Sequence, residues 1–343
     1  MISSWLALAM GGFLWLPLPA VSAAEKPAPA PSARVVCVQD PQAMENFRPH
    51  AERVKAMVLR GLTNVTGRAD ATMAWRSLVS TQDVVGIKVF SAPGPNSGTR
   101  IAVVAAVVEG LLTAGLPPKH IVVWDRQSHD LILAGFFDLR TRYGIRVESS
   151  VDAGWDDQAS YDTVPLGNLV WGDLEFGKTG KGIGRKSFVS KLLTRDITKL
   201  INISPLLNHN LAGVSGNLYS LALGSVDNVL RFESDSARLA TAVPELYALP
   251  ALGDRVVLNI TDALICQYEG EERGLLHYSA MLGQLRFSTD PVALDALSVQ
   301  ELELQRQAAK ATPVQPNLDL LNNAALLELG VCDVKKMDVR ILR

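Results

Sequence analysis

Asp83-Val-Val-Gly-Ile-Lys-Val89, a nearly all-apolar run from Ile101 to Ala114, and His120-Ile-Val-Val-Trp-Asp125 together decide the fold. The outer two segments are short, apolar and β-branched, which marks strands buried on both faces. The middle run is long enough for a helix. Gly115 suits the position just past its end, and Pro117 and Pro118 stop it continuing. Strand, helix and strand at this spacing form a right-handed parallel crossover.

The same alternation continues outward. Arg34-Val-Val-Cys-Val38 reads as a strand, and Glu45 to Leu62 as a helix with Val54, Met57, Val58 and Leu62 on one face. Lys199-Leu-Ile-Asn-Ile-Ser204 reads as a strand ended by the turn-prone Pro205, and Asp254 to Ala263 as another. Asp290 is a good N-cap with Pro291 at N1, opening a helix to about Ala311. Residues 331–343 form a final strand or a docked tail. The expectation is an α/β fold, a mainly parallel β-sheet with helices on both faces and room for a second, smaller lobe. Residues 152–190 read as an irregular insertion. Within it, Lys178-Thr-Gly-Lys-Gly-Ile-Gly-Arg185-Lys186 lacks the order of a Walker loop and reads as a solvated loop or an anion-contacting lid.

Composition narrows the class. The chain has 343 residues, 48% apolar and 20% charged, which describes a globular protein with a large core. A net charge of −2 provides no basic field for nucleic acid. Met1 to Ala24 is apolar, contains Pro17 and Pro19 and ends in Val21-Ser-Ala-Ala24, as a secretory signal does, although its start has no Lys or Arg. Residues 25–33, rich in Pro and Ala, then form a linker to a domain at 34–343. A periplasmic or secreted protein with no membrane span after cleavage is expected, an uncleaved N-terminal anchor being the rival. Cys37, Cys266 and Cys332 are too widely spaced for an iron–sulfur or zinc site. One disulfide with a leftover thiol is open to them; Cys37 and Cys266, in strand-like runs, read as buried small hydrophobes.

Open α/β sheets bind ligands at the carboxyl ends of their strands. There His209-Asn-Leu-Ala-Gly-Val-Ser-Gly-Asn-Leu-Tyr219 presents a histidine, a hydroxyl and glycines that let backbone N–H groups approach a ligand. His209 is a candidate general base or ligand, and Gly213, Ser215, Gly216 and Asn217 are candidate binding groups, with Asn210 beside them. Lys88, costly in an apolar strand unless paired, is a candidate anion contact that Asp125 could neutralise. Asp125 and Asp262 end strands at the same edge, and His129 follows Asp125. Arg100 and Arg231 add positive charge, Arg231 as part of a clamp with Ser225-Val-Asp-Asn228 or as a surface ion pair. Asp290 and Asp295 are explained by capping and helix-dipole effects. No ligand spacing identifies a metal, and the cofactor stays unknown.

The residues also carry a resemblance. Val85-Gly-Ile-Lys-Val89, Val122-Val-Trp-Asp125, Gly184-Arg-Lys-Ser187, Ile201-Asn-Ile-Ser-Pro205, His209-Asn-Leu-Ala-Gly213, Asp262-Ala263 and Ser288-Thr-Asp-Pro-Val-Ala293 fall in one order. This order resembles DUF362, a family of bacterial and archaeal proteins, over residues 34–305. The resemblance implies the fold and this neighbourhood of residues but names no reaction. Some members carry ferredoxin-type iron–sulfur modules; this chain lacks those cysteines. A local stretch is similar to lactate racemase and its relatives, which hold a nickel-pincer nucleotide and share His-x-x-Ala-Gly-x-Ser-Gly-Gly-x-Lys. His209, Ala212, Gly213, Ser215 and Gly216 fit that pattern, and Thr99-Arg100 and His129 can be laid on its other conserved groups. Tyr219 stands where the anchoring lysine belongs, which removes a Schiff-base-capable amine and a phosphate partner.

Two functional classes follow. One is an exported enzyme, or former enzyme, binding a small anionic ligand or metal complex, with His209, His129, Asp125 and Asp262 as catalytic groups and Lys88, Arg100 and Arg231 balancing charge. The other is a non-catalytic periplasmic binding or accessory protein that kept the pocket and lost the lysine. Convergence of the four catalytic candidates in one cavity separates the two.

Overall fold

The structure is a computed structural model and describes residues 33–178, 180, 182–312, 314 and 317–343. Met1–Ala24 and the expected linker lie outside the described residues, except for Ala33, which opens the first strand.

Along the chain, β1 (Ala33–Gln39) is followed by a small hairpin, β2 (Met44–Glu45) and β3 (Arg48–Pro49), then by α1 (Ala51–Thr66) and α2 (Ala71–Leu78). β4 (Val85–Val89) leads through α3 (Gly94–Ser97) into α4 (Ile101–Thr113) and β5 (Ile121–Asp125). Next come α5 (Ser128–Leu133), α6 (Phe137–Tyr143), β6 (Arg146–Ser149) and α7 (Ser150–Ala153). A ribbon of β7 (Trp155–Asn168) and β8 (Ile183–Ser190) precedes β9 (Lys199–His209), β10 (Gly213–Val214) and α8 (Asn217–Gly224). α9 (Leu230–Glu233), α10 (Ser236–Tyr247), β11 (Val256–Gln267) and β12 (Ser279–Ser288) follow. The chain closes with α11 (Pro291–Ala308), α12 (Asp319–Leu326) and β13 (Met337–Leu342).

The main sheet runs β13-β1-β12-β11-β9-β4-β5-β6, with β10 paired to β9. β11, β9, β4, β5 and β6 are mutually parallel, as are β1 and β13; β12 is antiparallel to both its neighbours. The expected α/β class and mainly parallel sheet are therefore present. The period-two rule sorts the side chains. Val85, Ile87, Val89, Ile121, Val123, Ile201 and Ile203 pack into one core with α1, α2 and α4. Val122, Trp124 and Leu200 face the opposite core, built by α8, α10 and α11. By the same alternation Lys88 and Asn202 face α8.

Several boundaries differ from the sequence reading. α1 begins at Ala51 because Asn46 and Phe47 take left-handed φ values of 50° and 62° and turn the β2–β3 hairpin first. β9 continues through Pro205 to His209. Proline cannot donate to a ladder, but β4 ends opposite Ile203 and β11 is irregular between Asp262 and Cys266, where it passes Pro205 and Leu206. The insertion at 152–190 is largely an antiparallel ribbon whose register breaks twice, which hid its alternation. The closing segment is an edge strand, parallel to β1. No helix of the described residues is long and apolar enough to cross a membrane.

Candidate functional site

The carboxyl ends of β4 and β5 meet α8 around a buried ion pair. Lys88 Nζ donates to Asp125 Oδ1 at 2.8 Å, to Val89 O at 2.6 Å and to Ser220 Oγ at 3.2 Å. Asp125 also accepts from Ser91 N and Ser91 Oγ on Oδ2 and from Arg126 N on Oδ1. Burial pushes the Lys88 pKa down and Asp125 pulls it back up. Three acceptors match the three hydrogens of an ammonium, and three further donors stabilise the carboxylate, so the pair is ionic. Ser220 Oγ is thus an acceptor from Lys88 and has no general base there. A Ser–Lys nucleophile is excluded on this geometry.

A second internal pair lies beside the first. Arg100 Nη1 sits 2.9 Å from Asp262 Oδ1, Arg100 N donates to Asp262 Oδ2 at 2.9 Å, and both side chains are buried. The Nη1 contact is close in distance but off line for a hydrogen bond, so it acts as a charge contact. Thr99 Oγ1 donates to Ile203 O at 2.7 Å and accepts from Phe90 N, fastening this loop to the sheet.

The glycine-rich segment is filled by the protein itself. His209-Asn-Leu-Ala-Gly213 is a tight turn in which Gly213 (φ 84°) returns the chain antiparallel onto β9. A Cβ on Gly216 would lie 2.2 Å from Asp295 Oδ1, and one on Gly224 2.2 Å from Lys88 Cε. These glycines make room for side chains of this protein rather than for a ligand. Asp295 accepts from Asn217 N at 2.7 Å, Leu218 N at 2.9 Å and Asn217 Nδ2 at 3.1 Å, and so caps α8, not its own helix. Ser215 is fully buried and its hydroxyl has no partner among the described residues.

His209 Nδ1 accepts from Leu211 N at 3.2 Å and Ala212 N at 3.1 Å, and its ring lies 4.5 Å from that of Tyr219. Both amides need the Nδ1 lone pair, so the neutral ring carries its proton on Nε2 and offers a donor, not a base. Burial lowers its pKa below the usual histidine value, with Glu271 opposing. In an NMR titration His209 is therefore expected to hold the Nε2–H tautomer through neutral pH and to protonate below about 6.5. A midpoint at or above that value contradicts the assignment.

The four catalytic candidates do not share a cavity. A pocket of about 210 Å³ opens at the β4–β5 end and is lined by Phe90, Asp125, Arg126, Asp130, Tyr219, Glu233 and Glu272 among others. Asp125 is on its wall; His209, His129 and Asp262 are not. His129 is exposed on α5. Arg231 is neither clamp nor surface ion pair: buried under the ribbon, it donates to Thr163 O at 2.7 Å and Tyr161 O at 3.2 Å. With Lys88 and Arg100 also engaged internally, the cations expected to hold an anion are occupied.

Sequence reasoning missed the acids that line this pocket. Asp130, Glu233 and Glu272 come from α5, α9 and the Gly270-Glu-Glu-Arg-Gly274 loop. That loop is clipped down by Glu271 N donating to Asn208 Oδ1 at 3.0 Å and by Asn210 N donating to Glu271 Oε1 at 2.8 Å. Burial, then Glu233, Asp125 and Asp130, push the Glu272 carboxyl up to about 7. Burial likewise raises Glu233 and Asp130 above the usual carboxylate range. Burial and the nearby Glu233 and Glu272 charges raise the Tyr219 phenol, whose Oη donates to Glu233 Oε1 at 3.4 Å. The only sequence signal for the acids was the glycine pair that flanks Glu271-Glu272. A larger groove of about 390 Å³ along α11 and α12 is mainly apolar and lies away from this chemistry.

The family described as "Domain of unknown function (DUF362)" matches residues 85–300, most of both cores and the whole pocket-forming segment. The chain belongs to that family. None of the curated proteins matches this DUF362 protein. A crystal structure of a Thermotoga maritima protein, solved by a structural genomics consortium, is similar over 77% of the chain at 13% identity with a TM-score of 0.43, and the chain spans 60% of that protein's length. The local likeness to lactate racemases meets a filled site. Tyr219 is buried against Phe90 and His209 where those enzymes anchor their cofactor, and Asp295 occupies the approach to Gly216. These residues do not fit a nickel-pincer nucleotide.

Proposed function

We propose that this DUF362 protein binds a small organic cation, an amine of a few carbons, in the pocket between β5, α8, α9 and the 270–274 loop. One observation carries this reading: Asp130, Glu233 and Glu272 face the cavity with a single cation, Arg126, while Lys88 already neutralises Asp125. The carboxylates repel one another, and an entering ammonium relieves them. Phe90 and Tyr219 add aromatic faces suited to cation–π contact. The anionic ligand expected from Lys88, Arg100 and Arg231 is disfavoured because those cations are engaged internally. We assign the protein as a binding or accessory protein exported on the strength of Met1–Ala24, because the four catalytic candidates are dispersed.

The test is a thermal-shift series with short primary and quaternary amines, against phosphate and short carboxylic acids. Amines are expected to raise the melting temperature at pH 8 and much less at pH 5.5, where Glu272 is protonated. Phosphate stabilising while amines do not would return the anion reading. Glu272→Gln is expected to weaken amine binding at pH 8 and to flatten the pH dependence of the ligand-free protein. The sign follows from its raised folded pKa: the Glu272 contribution is fully present below the unfolded value of about 4.5 and is lost as pH rises through about 7. The Glu272 side chain is exposed, so solvent screens most of this field and the change in stability is small. His209 acts oppositely, its lowered pKa removing stability as pH falls below its unfolded value.

A further inference from the structure

The cation on the wall of the acidic pocket has no partner. Arg126 follows directly on β5, and its backbone is fixed: its N–H donates to Asp125 Oδ1 at 2.8 Å and its carbonyl accepts from Val151 N at 3.1 Å. Its side chain lines the cavity with Asp130, Tyr219, Glu233 and Glu272. There the guanidinium forms no ion pair and donates no hydrogen bond among the described residues, and its Nε is buried. Other arginines leave Nε unpartnered, but they are held elsewhere. Arg100 donates from Nη2 to Asn96 O at 2.9 Å, Arg231 from Nη2 to Thr163 O at 2.7 Å, and Arg306 lies 3.8 Å from Glu303. None of the three lines this cavity. A buried N–H without an acceptor is costly, and one kept beside a cavity marks the place of an acceptor from outside the chain.

Ser220 is a second donor without an acceptor. It is 1% exposed, lines the same cavity and accepts from Lys88 at 3.2 Å, yet its own hydroxyl hydrogen meets no acceptor among the described residues. A hydroxyl that already accepts from an ammonium is a stronger donor. Arg126 and Ser220 both call for an anionic oxygen, in a cavity whose remaining charges are carboxylates. Burial raises the Glu233 and Glu272 carboxyls alike. Arg126 opposes that rise at Glu233, whereas Glu233, Asp125, Asp130 and Glu271 all add to it at Glu272. A plain amine leaves Arg126 without an acceptor, and a plain acid meets the carboxylates. A molecule with both charges satisfies both sets of groups. The cavity, about 210 Å³, restricts it to a few carbons. A carboxylate suits the planar guanidinium fork and brings a single negative charge among the acids, where a phosphate brings up to two.

We propose that the pocket takes a small zwitterionic amino acid, its carboxylate held by Arg126 and Ser220 and its ammonium by Glu233 and Glu272. The inference rests on the amine-binding reading above and adds the second charge of the ligand.

The experiment is isothermal titration calorimetry of the full chain at pH 8 with ethylamine, propionate, alanine and β-alanine. The two amino acids are ethylamine with a carboxylate on one carbon or the other, and propionate is the same skeleton without the amine. Alanine or β-alanine is expected to bind at least about tenfold more tightly than ethylamine, as a hydrogen-bonded charge contributes, with propionate weakest. Arg126→Met is expected to abolish that advantage and to tighten ethylamine binding, because the field at Glu233 and Asp130 becomes more negative. A thermal melt establishes that the variant is folded, and the wild-type comparison decides by itself if it is not. If ethylamine binds as tightly as both amino acids, the inference fails and the amine reading stands. If neither ethylamine nor an amino acid binds, or propionate matches the amino acids, both fail. An amino-acid advantage that persists in folded Arg126→Met overturns the assignment of Arg126 as the carboxylate's partner.

Discussion

Lys88→Met is expected to lower the unfolding free energy by about 3–5 kcal/mol, because it strands the Asp125 carboxylate in a buried site without its counter-charge. The methionine fills nearly the same space beneath Gly224, where Lys88 Cε already sits within 2.2 Å of a Cβ position, so packing is mostly retained. What is lost is the ammonium that satisfies Val89 O, Asp125 Oδ1 and Ser220 Oγ together. Adding Asp125→Asn removes the stranded charge and keeps an acceptor for Ser91 N. The double variant is therefore expected to be more stable than Lys88→Met alone in urea titration. If it is no more stable, the loss comes from packing, and the ionic account of this pair is wrong.

Gly216→Ala is the second large effect. The new methyl group collides with Asp295 Oδ1 at 2.2 Å and Oδ2 at 2.6 Å, and the carboxylate must leave the N-terminus of α8. Loss of the bonds from Asn217 N, Leu218 N and Asn217 Nδ2, with strain in a packed core, is expected to cost about 3 kcal/mol. Asp295→Ala removes the same cap from the other side. Combined, the two substitutions should cost little more than either alone, since both act through one contact; additive losses would falsify the coupling. Asp295 also has a pH signature, because burial pushes its carboxyl up to about 6 against the lowering effect of its backbone donors. Its contribution is complete below the unfolded value of about 3.8 and is lost as pH rises through about 6. Asp295→Asn should remove that slope.

Much of the fold was legible because burial on both faces leaves a simple record. Val85 to Val89 and Ile121 to Asp125 are short apolar runs, and Asp290-Pro291 is a cap whose side chain does accept from Ala293 N at 2.8 Å. The ribbon at 155–190 was not legible, since its register breaks and its apolar residues on both faces erase the period-two signal. The site was legible only in part. Lys88 with Asp125 was anticipated from the cost of a charge in an apolar strand. Asp130, Glu233 and Glu272 carry no local pattern, and their meaning comes from mutual proximity.

The sequence by itself determined the strand–helix–strand core around Val85–Asp125, which edge of the sheet is chemically rich, and that Lys88 needs a buried partner such as Asp125. Those properties depend on residues a few positions apart, within reach of periodicity and capping. Only the tertiary structure decided which polar groups satisfy one another. Lys88 meets Asp125 across 37 residues, Asn217 meets Asp295 across 78, and Arg100 meets Asp262 across 162. Such pairings turned expected ligand contacts into internal ones, because a buried charge is stable only beside the partner that the fold brings to it.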